Sequence, residues 1–314
     1  MTRKKTAFIF AGQGSQYVGM GKELYEYYPA ARTVFELADR KLGYNLSELC
    51  FSGPKEELDR TENTQPAILA VSVAAVKTLA DYGIYPDVVA GFSLGEYSAL
   101  VCSQVLTFDD GVQLVRKRGL FMQEAVPQGL GGMAAVLGLD TDKVEEACHA
   151  AEAVGVVQIA NYNCPGQVVI SGQKQALEAA SAKATELGAK RVLPLEVSGP
   201  FHTVLLKPAA DKLAEELAAI PFNDPAIPVL SNVTADYMSD KMVIKDLMPK
   251  QVMNPVRWET VFRKMLADGV ETFVELGPGT VLKGFARKID RDIKVLSAEN
   301  KASLEAAIDY IKNN

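Results

Sequence analysis

Along this 314-residue chain, short unbroken apolar runs alternate with longer stretches of helical spacing. The first run, Ala7-Phe8-Ile9-Phe10, stops at Ala11-Gly12-Gln13-Gly14-Ser15-Gln16. A brief apolar run that ends in glycine reads as a strand buried on both faces. Residues 18–84 read as helical with short breaks, and the almost wholly apolar stretch 67–79, introduced by Thr64-Gln65-Pro66, must be a buried helix. Val88-Val89-Ala90 is a second short run, set off by Pro86 and followed by Gly91-Phe92-Ser93-Leu94-Gly95 and a proline-free helix over 94–103. Thr107-Phe108-Asp109-Asp110 resembles a capping box opening a helix to about residue 125.

After the linker Pro127-Gln128-Gly129-Leu130-Gly131-Gly132 the pattern changes. It predicts strand 133–139, helix 142–153, strands 156–162 and 167–171 around Asn163-Cys164-Pro165-Gly166, helix 173–187 and strand 191–197. That β-α-β-β-α-β order is the ferredoxin-like plan. The earlier pattern resumes with Ser198-Gly199-Pro200-Phe201-His202 in a loop before a helix. Strand 227–232, helix 258–267, strand 271–276 ending in Gly277-Pro278-Gly279, and helix 303–312 follow. The expected fold is α/β: a large α/β-hydrolase-like domain with a mostly parallel sheet, built from residues 1–127 and 198–314. An α+β ferredoxin-like domain, residues 128–197, is inserted into it.

Composition narrows the function. The hydrophobic share of 48% and charged share of 23% are those of an ordinary globular protein. A net charge of −6 argues against nucleic acid as a partner. No run reaches the roughly 18 apolar residues that cross a membrane. Arg3-Lys4-Lys5 is followed by only six apolar or small residues, too few for a signal-peptide core. Cys50, Cys102, Cys148 and Cys164 form neither a C-x-x-C pair nor a metal-ligand spacing, as expected of reduced thiols in a cytoplasmic protein without a metal or cofactor.

The chemistry centres on Ser93. Strand, sharp turn and helix with serine at the apex form a nucleophile elbow, and glycines two residues to either side relieve the crowding. Such a serine needs a base, nearly always histidine. Of the two histidines, His149 points away from the apolar face of its helix, whereas His202 lies in a Gly-Pro loop, where chemistry usually resides. The group orienting His202 stays open: a carboxylate such as Glu196, a side-chain amide or a backbone carbonyl. The glycine loop at residues 12–14 lacks the G-K-[ST] ending of a phosphate loop and suits an oxyanion donor better. Arg118 falls within the apolar arc of its helix, between Leu114 and Met122. A guanidinium cannot shed its charge, so burial there demands an anion, an internal carboxylate or a snorkelled head group.

Taken in order, five segments carry a resemblance: Phe10-Ala11-Gly12-Gln13-Gly14-Ser15-Gln16, Gly91-Phe92-Ser93-Leu94-Gly95-Glu96-Tyr97, Arg118-Gly119, Ser198-Gly199-Pro200-Phe201-His202 and Glu275-Leu276-Gly277-Pro278-Gly279. Together they resemble the malonyl-CoA:acyl carrier protein transacylases over essentially the whole chain. The resemblance implies ping-pong transfer of a malonyl group through Ser93, with His202 moving the proton and the carrier protein's phosphopantetheine thiol as acceptor. It also implies an oxyanion hole from the backbone N–H groups of Gln13 and Leu94, a carboxylate clamp from Arg118, and Gln251 as the residue orienting the histidine. Phe92 stands where many members carry histidine, and Phe201 resembles the bulky residue that favours malonyl over α-methylated groups. A basic face for an acidic carrier protein is expected at Lys283, Arg287, Lys288 and Arg291, with Lys190 and Arg191 elsewhere, and a monomer is the simplest state. Two other readings of the residues remain: a serine esterase or thioesterase, and a non-catalytic acyl-binding module.

Overall fold

Strand β1 (Thr6–Phe10) is buried at every position, and its side chains divide by parity. Phe8 and Phe10 enter one hydrophobic cluster, Ala7 and Ile9 a second one. Successive residues of a strand point to opposite faces, so both faces of this strand are covered. The same division recurs in the later strands: Val89 and Val274 join the first cluster, Val88, Ala90 and Phe273 the second. The computed structural model describes residues 4–127, 129–197 and 199–314. Arg3 of the basic start, Gln128 of the linker and Ser198 of the histidine loop lie outside the described residues.

After β1 come α1 (Lys22–Tyr27), α2 (Pro29–Leu42), α3 (Leu46–Ser52), α4 (Lys55–Leu58) and α5 (Thr61–Asp81). Helix α5 starts six residues ahead of the predicted apolar stretch. Pro66 lies inside it, near the N-terminal end, where a proline without an N–H forfeits only one rung of the ladder. Strand β2 (Val88–Gly91) leads through the elbow into α6 (Gly95–Cys102), and α7 (Phe108–Glu124) follows. Thr107 caps α7 by accepting from the Asp110 N–H.

The next segment folds as β3 (Gly131–Leu137), α8 (Thr141–Ala151), β4 (Val157–Cys164), β5 (Gln167–Gln173), α9 (Lys174–Glu186) and β6 (Arg191–Pro194). The chain then supplies α10 (Lys207–Ala219), β7 (Val229–Leu230), α11 (Lys241–Gln251), α12 (Trp258–Ala267), β8 (Thr272–Leu276), α13 (Val281–Ile289), β9 (Lys294–Ala298) and α14 (Lys301–Asn313). Strand β7 is shorter than predicted. Pro228 brings no N–H to the ladder, and the Asn232 N–H is drawn to the Glu96 carboxylate instead.

Among the described residues there are two sheets. The first has the order β7-β2-β1-β8-β9 and is parallel throughout. The second, β4-β5-β3-β6, is antiparallel at each pairing. Helices α8 and α9 cover one face of it, burying Val136, Ile159, Val168 and Ile170 against Val144, Ala147, Ala176 and Ala180. The residues of opposite parity, Met133, Ala135 and Val169, join the first cluster of the parallel unit. The units are also stitched by backbone, because Tyr162 N–H donates to the Val256 carbonyl and Val256 N–H to that of Ala160, both at 2.9 Å. Their junction frames a cavity of about 460 Å³.

Candidate active site

The elbow is built by exclusion of side chains. A Cβ on Gly95 would lie 2.2 Å from the Phe10 carbonyl oxygen, and one on Gly91 would lie 1.9 Å from Gly95. Only glycine permits α6 to pass this close to the ends of β1 and β2. Ser93 at the apex takes φ 51°, a left-handed conformation unusual for a residue with a side chain. Holding such a residue there costs about 1–3 kcal/mol, which the surroundings must offset. Two buried amides do so: Asn232 Oδ1 accepts the Ser93 N–H at 2.7 Å, and Gln251 Nε2 donates to the Ser93 carbonyl at 2.9 Å.

Ser93 Oγ lies 2.8 Å from His202 Nε2. His202, itself at φ 60° and 4% exposed, faces two main-chain carbonyls with Nδ1, Gln251 O at 2.9 Å and Asn254 O at 3.0 Å. Carbonyls only accept, so Nδ1 carries the proton and Nε2 presents a lone pair to the serine hydroxyl. Burial, aided by the nearby Arg118 charge, pushes the imidazole pKa down to about 4, while the carbonyl bonds pull the other way. At neutral pH the ring is therefore neutral and able to accept a proton. Of the groups left open, main-chain carbonyls are the ones that meet Nδ1, and one of them belongs to Gln251, the residue expected to orient the histidine. Its backbone carbonyl holds the histidine at the end of α11, whereas its side chain turns to Ser93, Glu96 and Arg118. Helix α11 escaped prediction because Pro249 interrupts its pattern.

Arg118 is buried, as its place on the wheel of α7 required. It is not idle, however: Nη1 donates to Gln65 Oε1 at 2.8 Å, and Nη2 to Gln251 Oε1 at 2.9 Å and Ser93 Oγ at 3.3 Å. The Tyr97 ring centre stands 5.3 Å from the guanidinium carbon. These partners are all uncharged, and among the described residues no carboxylate lies within ion-pair distance. The guanidinium is 1% exposed and reaches the cavity through the Ser93 hydroxyl. Gly119 lets α7 approach this closely, since a Cβ there would sit 2.7 Å from the α5 backbone at Thr61 and Glu62.

The glycine loop abuts the elbow: a Cβ on Gly12 would be 2.5 Å from the Phe92 carbonyl oxygen. Ser15 Oγ donates to the Gly12 carbonyl, and the Gln13 side chain reaches Thr61, so the loop is pinned. The backbone N–H groups of Gln13 and Leu94 make no hydrogen bond among the described residues. Phe92 leans on Trp258 and Phe285, with ring centres 5.8 and 6.1 Å away, and Phe201 is buried against the cavity. His149 lies exposed beside Glu152, as predicted. Of the basic residues, Lys283 and Arg287 ride on α13, whose Leu282 and Phe285 line the cavity. Lys288 contacts Gln167 of β5 at 2.9 Å, while Arg291, Lys190 and Arg191 are exposed. Sequence reasoning missed Asn232, Gln65 and Glu96. For Asn232 and Glu96 the available signal was a polar residue just beyond the C-terminal end of a parallel strand, where such sheets place their ligands, whereas Gln65 lies within α5.

The acyl transferase domain family matches residues 7–310. The chain belongs to this family. Malonyl CoA-acyl carrier protein transacylase of Bacillus subtilis is 51% identical over 309 residues, covering 98% of each chain. That of Escherichia coli strain K12 is 49% identical over 302 residues, 96% of this chain and 97% of the relative. Among solved structures, an acyl carrier protein S-malonyltransferase from Vibrio cholerae superposes with TM-score 0.94 at 47% identity, covering 96% of this acyltransferase and 99% of that chain. A malonyl-transacylase in complex with its type II polyketide synthase acyl-carrier protein gives TM-score 0.96 at 42% identity, covering 99% and 100%.

Proposed function

We propose that this acyltransferase moves malonyl groups from malonyl-CoA to the phosphopantetheine thiol of an acyl carrier protein by a ping-pong route. The observation that carries the mechanism is one hydroxyl shared by a neutral imidazole and a buried guanidinium: Ser93 Oγ, 2.8 Å from His202 Nε2 and 3.3 Å from Arg118 Nη2. Ser93 Oγ attacks the thioester carbonyl carbon while Nε2 takes its proton. The negative charge gathers on the carbonyl oxygen, at the N–H groups of Gln13 and Leu94, where losing such donors typically costs about 3 kcal/mol. The C–S bond then breaks, His202 returns the proton to the sulfur, and CoA leaves. The carrier protein's thiol repeats the sequence in reverse on malonyl-Ser93.

Arg118 suits a substrate with a free carboxylate. Its present partners are neutral acceptors that a carboxylate would outbid, since the opposite charge adds Coulomb attraction in a buried site and two oxygens match the guanidinium fork. An esterase acting on neutral chains gains nothing from this cation, which favours the transferase over that reading. Phe201 narrows the space beside His202 and would disfavour α-methylated groups. The parallel unit is read as an α/β-hydrolase-like domain of residues 1–127 and 198–314. The antiparallel unit, residues 128–197, is read as an inserted ferredoxin-like domain, supported by its β-α-β-β-α-β order. Lys283, Arg287, Lys288 and Arg291 form the basic rim offered to the carrier protein. Cysteines that are all free agree with a cytoplasmic setting, the chemistry calls for no cofactor, and a monomer suffices for it. Initial rates with malonyl-CoA and carrier protein both varied test the route. Parallel double-reciprocal lines are expected, and intersecting lines would contradict a covalent intermediate.

A further inference from the structure

Glu96, in the first turn of α6, is 1% exposed and has no cation within ion-pair distance among the described residues. A lone buried carboxyl is unfavourable unless its hydrogen bonds compensate. Burial raises its pKa to about 7 against the pull of Gln251, Asn232 and Arg118. Its Oε2 accepts from Gln251 Nε2 at 2.6 Å and from Asn232 N–H at 3.2 Å. These are the two residues that grip the elbow. Asn232 spans the turn, accepting the Ser93 N–H and donating to the Gly91 carbonyl, each at 2.7 Å. Gln251 holds the Ser93 carbonyl and, through Oε1, the Arg118 guanidinium.

A primary amide can face either way, offering its oxygen or its NH₂ to a given neighbour. Two acceptors, Glu96 Oε2 and the Ser93 carbonyl, claim the NH₂ of Gln251 and so turn its oxygen toward Arg118. We infer that Glu96 is a positioning residue for malonyl transfer: it fixes the Gln251 amide, and through it sets the guanidinium against Ser93. The inference rests on the transferase reading above and deepens it, because the same carboxylate then governs selectivity without touching substrate. Glu96, Asn232 and Gln251 all lie behind the cavity wall rather than in it.

The test compares loading of Ser93 from malonyl-CoA and from acetyl-CoA, with fluorophosphonate labelling to count folded, reactive sites. Glu96→Met keeps the shape and removes the acceptor. It is expected to slow malonyl loading roughly 10- to 100-fold per reactive site, as for a buried donor left unpaired, and acetyl loading by less, so the preference for malonyl falls. Glu96→Gln restores an acceptor oxygen and should keep that preference within about threefold of the parent, as a swap that retains the hydrogen bond. A Glu96→Met protein with unchanged malonyl preference, or a Glu96→Gln protein as unselective as Glu96→Met, would overturn the inference. If Glu96→Met does not fold, Gln251→Met cuts the same chain one link nearer Arg118, and unchanged preference there overturns it equally. Failure of the parent protein to load malonyl would instead refute the transferase reading, so the two failures are told apart.

Discussion

The two sheets meet at one cavity but contribute different things to it. The parallel sheet places the candidate reacting groups at the C-terminal ends of its strands, the glycine loop after β1 and the Ser93 elbow after β2, with Asn232 just beyond β7 bracing that elbow from behind the cavity wall. The antiparallel sheet delivers a wall, in Met133, Asn161, Asn163 and Val169. The difference follows from how each is packed. Strands buried on both faces can expose chemistry only at their ends, whereas a sheet covered by helices on one face can turn part of the other, here packed against the parallel unit, to a pocket. Tolerances should therefore be steep in the first unit and shallow in the second.

Glycine substitutions probe this contrast most severely. Gly95→Ala would press a Cβ to 2.2 Å from the Phe10 carbonyl. It is expected to destabilise the protein by about 3 kcal/mol or more and to abolish transfer, as overpacking against rigid backbone does. Gly132→Ala in β3 meets only Leu177 Cδ2 at 3.5 Å and should change stability by no more than about 0.5 kcal/mol. Thermal unfolding of both variants checks the pair, and equal losses would erase the contrast.

Arg118→Ala removes the one buried cation beside the serine among the described residues while leaving the elbow and His202 in place. Malonyl loading should fall roughly 100-fold while acetyl loading falls far less, because only the charged substrate loses a charge-assisted contact. A second effect follows from the histidine. A neighbouring cation disfavours imidazolium and helps hold His202 down at about 4. Its removal must raise that pKa, so the acid limb of the acetyl-loading profile should move toward neutral pH. An unmoved limb would count against the electrostatic link. The smallest effect belongs to the wall: Val169→Ala should raise KM for malonyl-CoA only a few-fold with kcat unchanged, the pattern of lost uniform binding. A fall in kcat would give the antiparallel sheet a part in the chemistry.

How much could be read in advance follows the same division. Local rules reveal the elbow, because its glycines, apolar strand and proline-free helix are contiguous. The wheel of α7 likewise places Arg118 inside. The β-α-β-β-α-β segment is legible from periodicity, with ends shifted by a few residues. The amide network is different in kind. Ser93 and Asn232 are 139 residues apart, and Gln251 and Ser93 are 158 apart, so no local pattern announces their contact. The carbonyls that orient His202 belong to the backbone and carry no side-chain signature at all. Strand β9 and helix α11 were overlooked because one is a half-exposed edge strand and the other contains a proline.

The central claim is that Ser93 itself becomes the carrier of the malonyl group. Mixing the protein with malonyl-CoA in the absence of any carrier protein, then measuring its intact mass and mapping the peptides, tests this most directly. One malonyl group is expected on Ser93, absent from Ser93→Ala and discharged on adding carrier protein bearing its thiol. A protein that turns over malonyl-CoA yet holds no adduct, or holds it at another residue, would contradict the account.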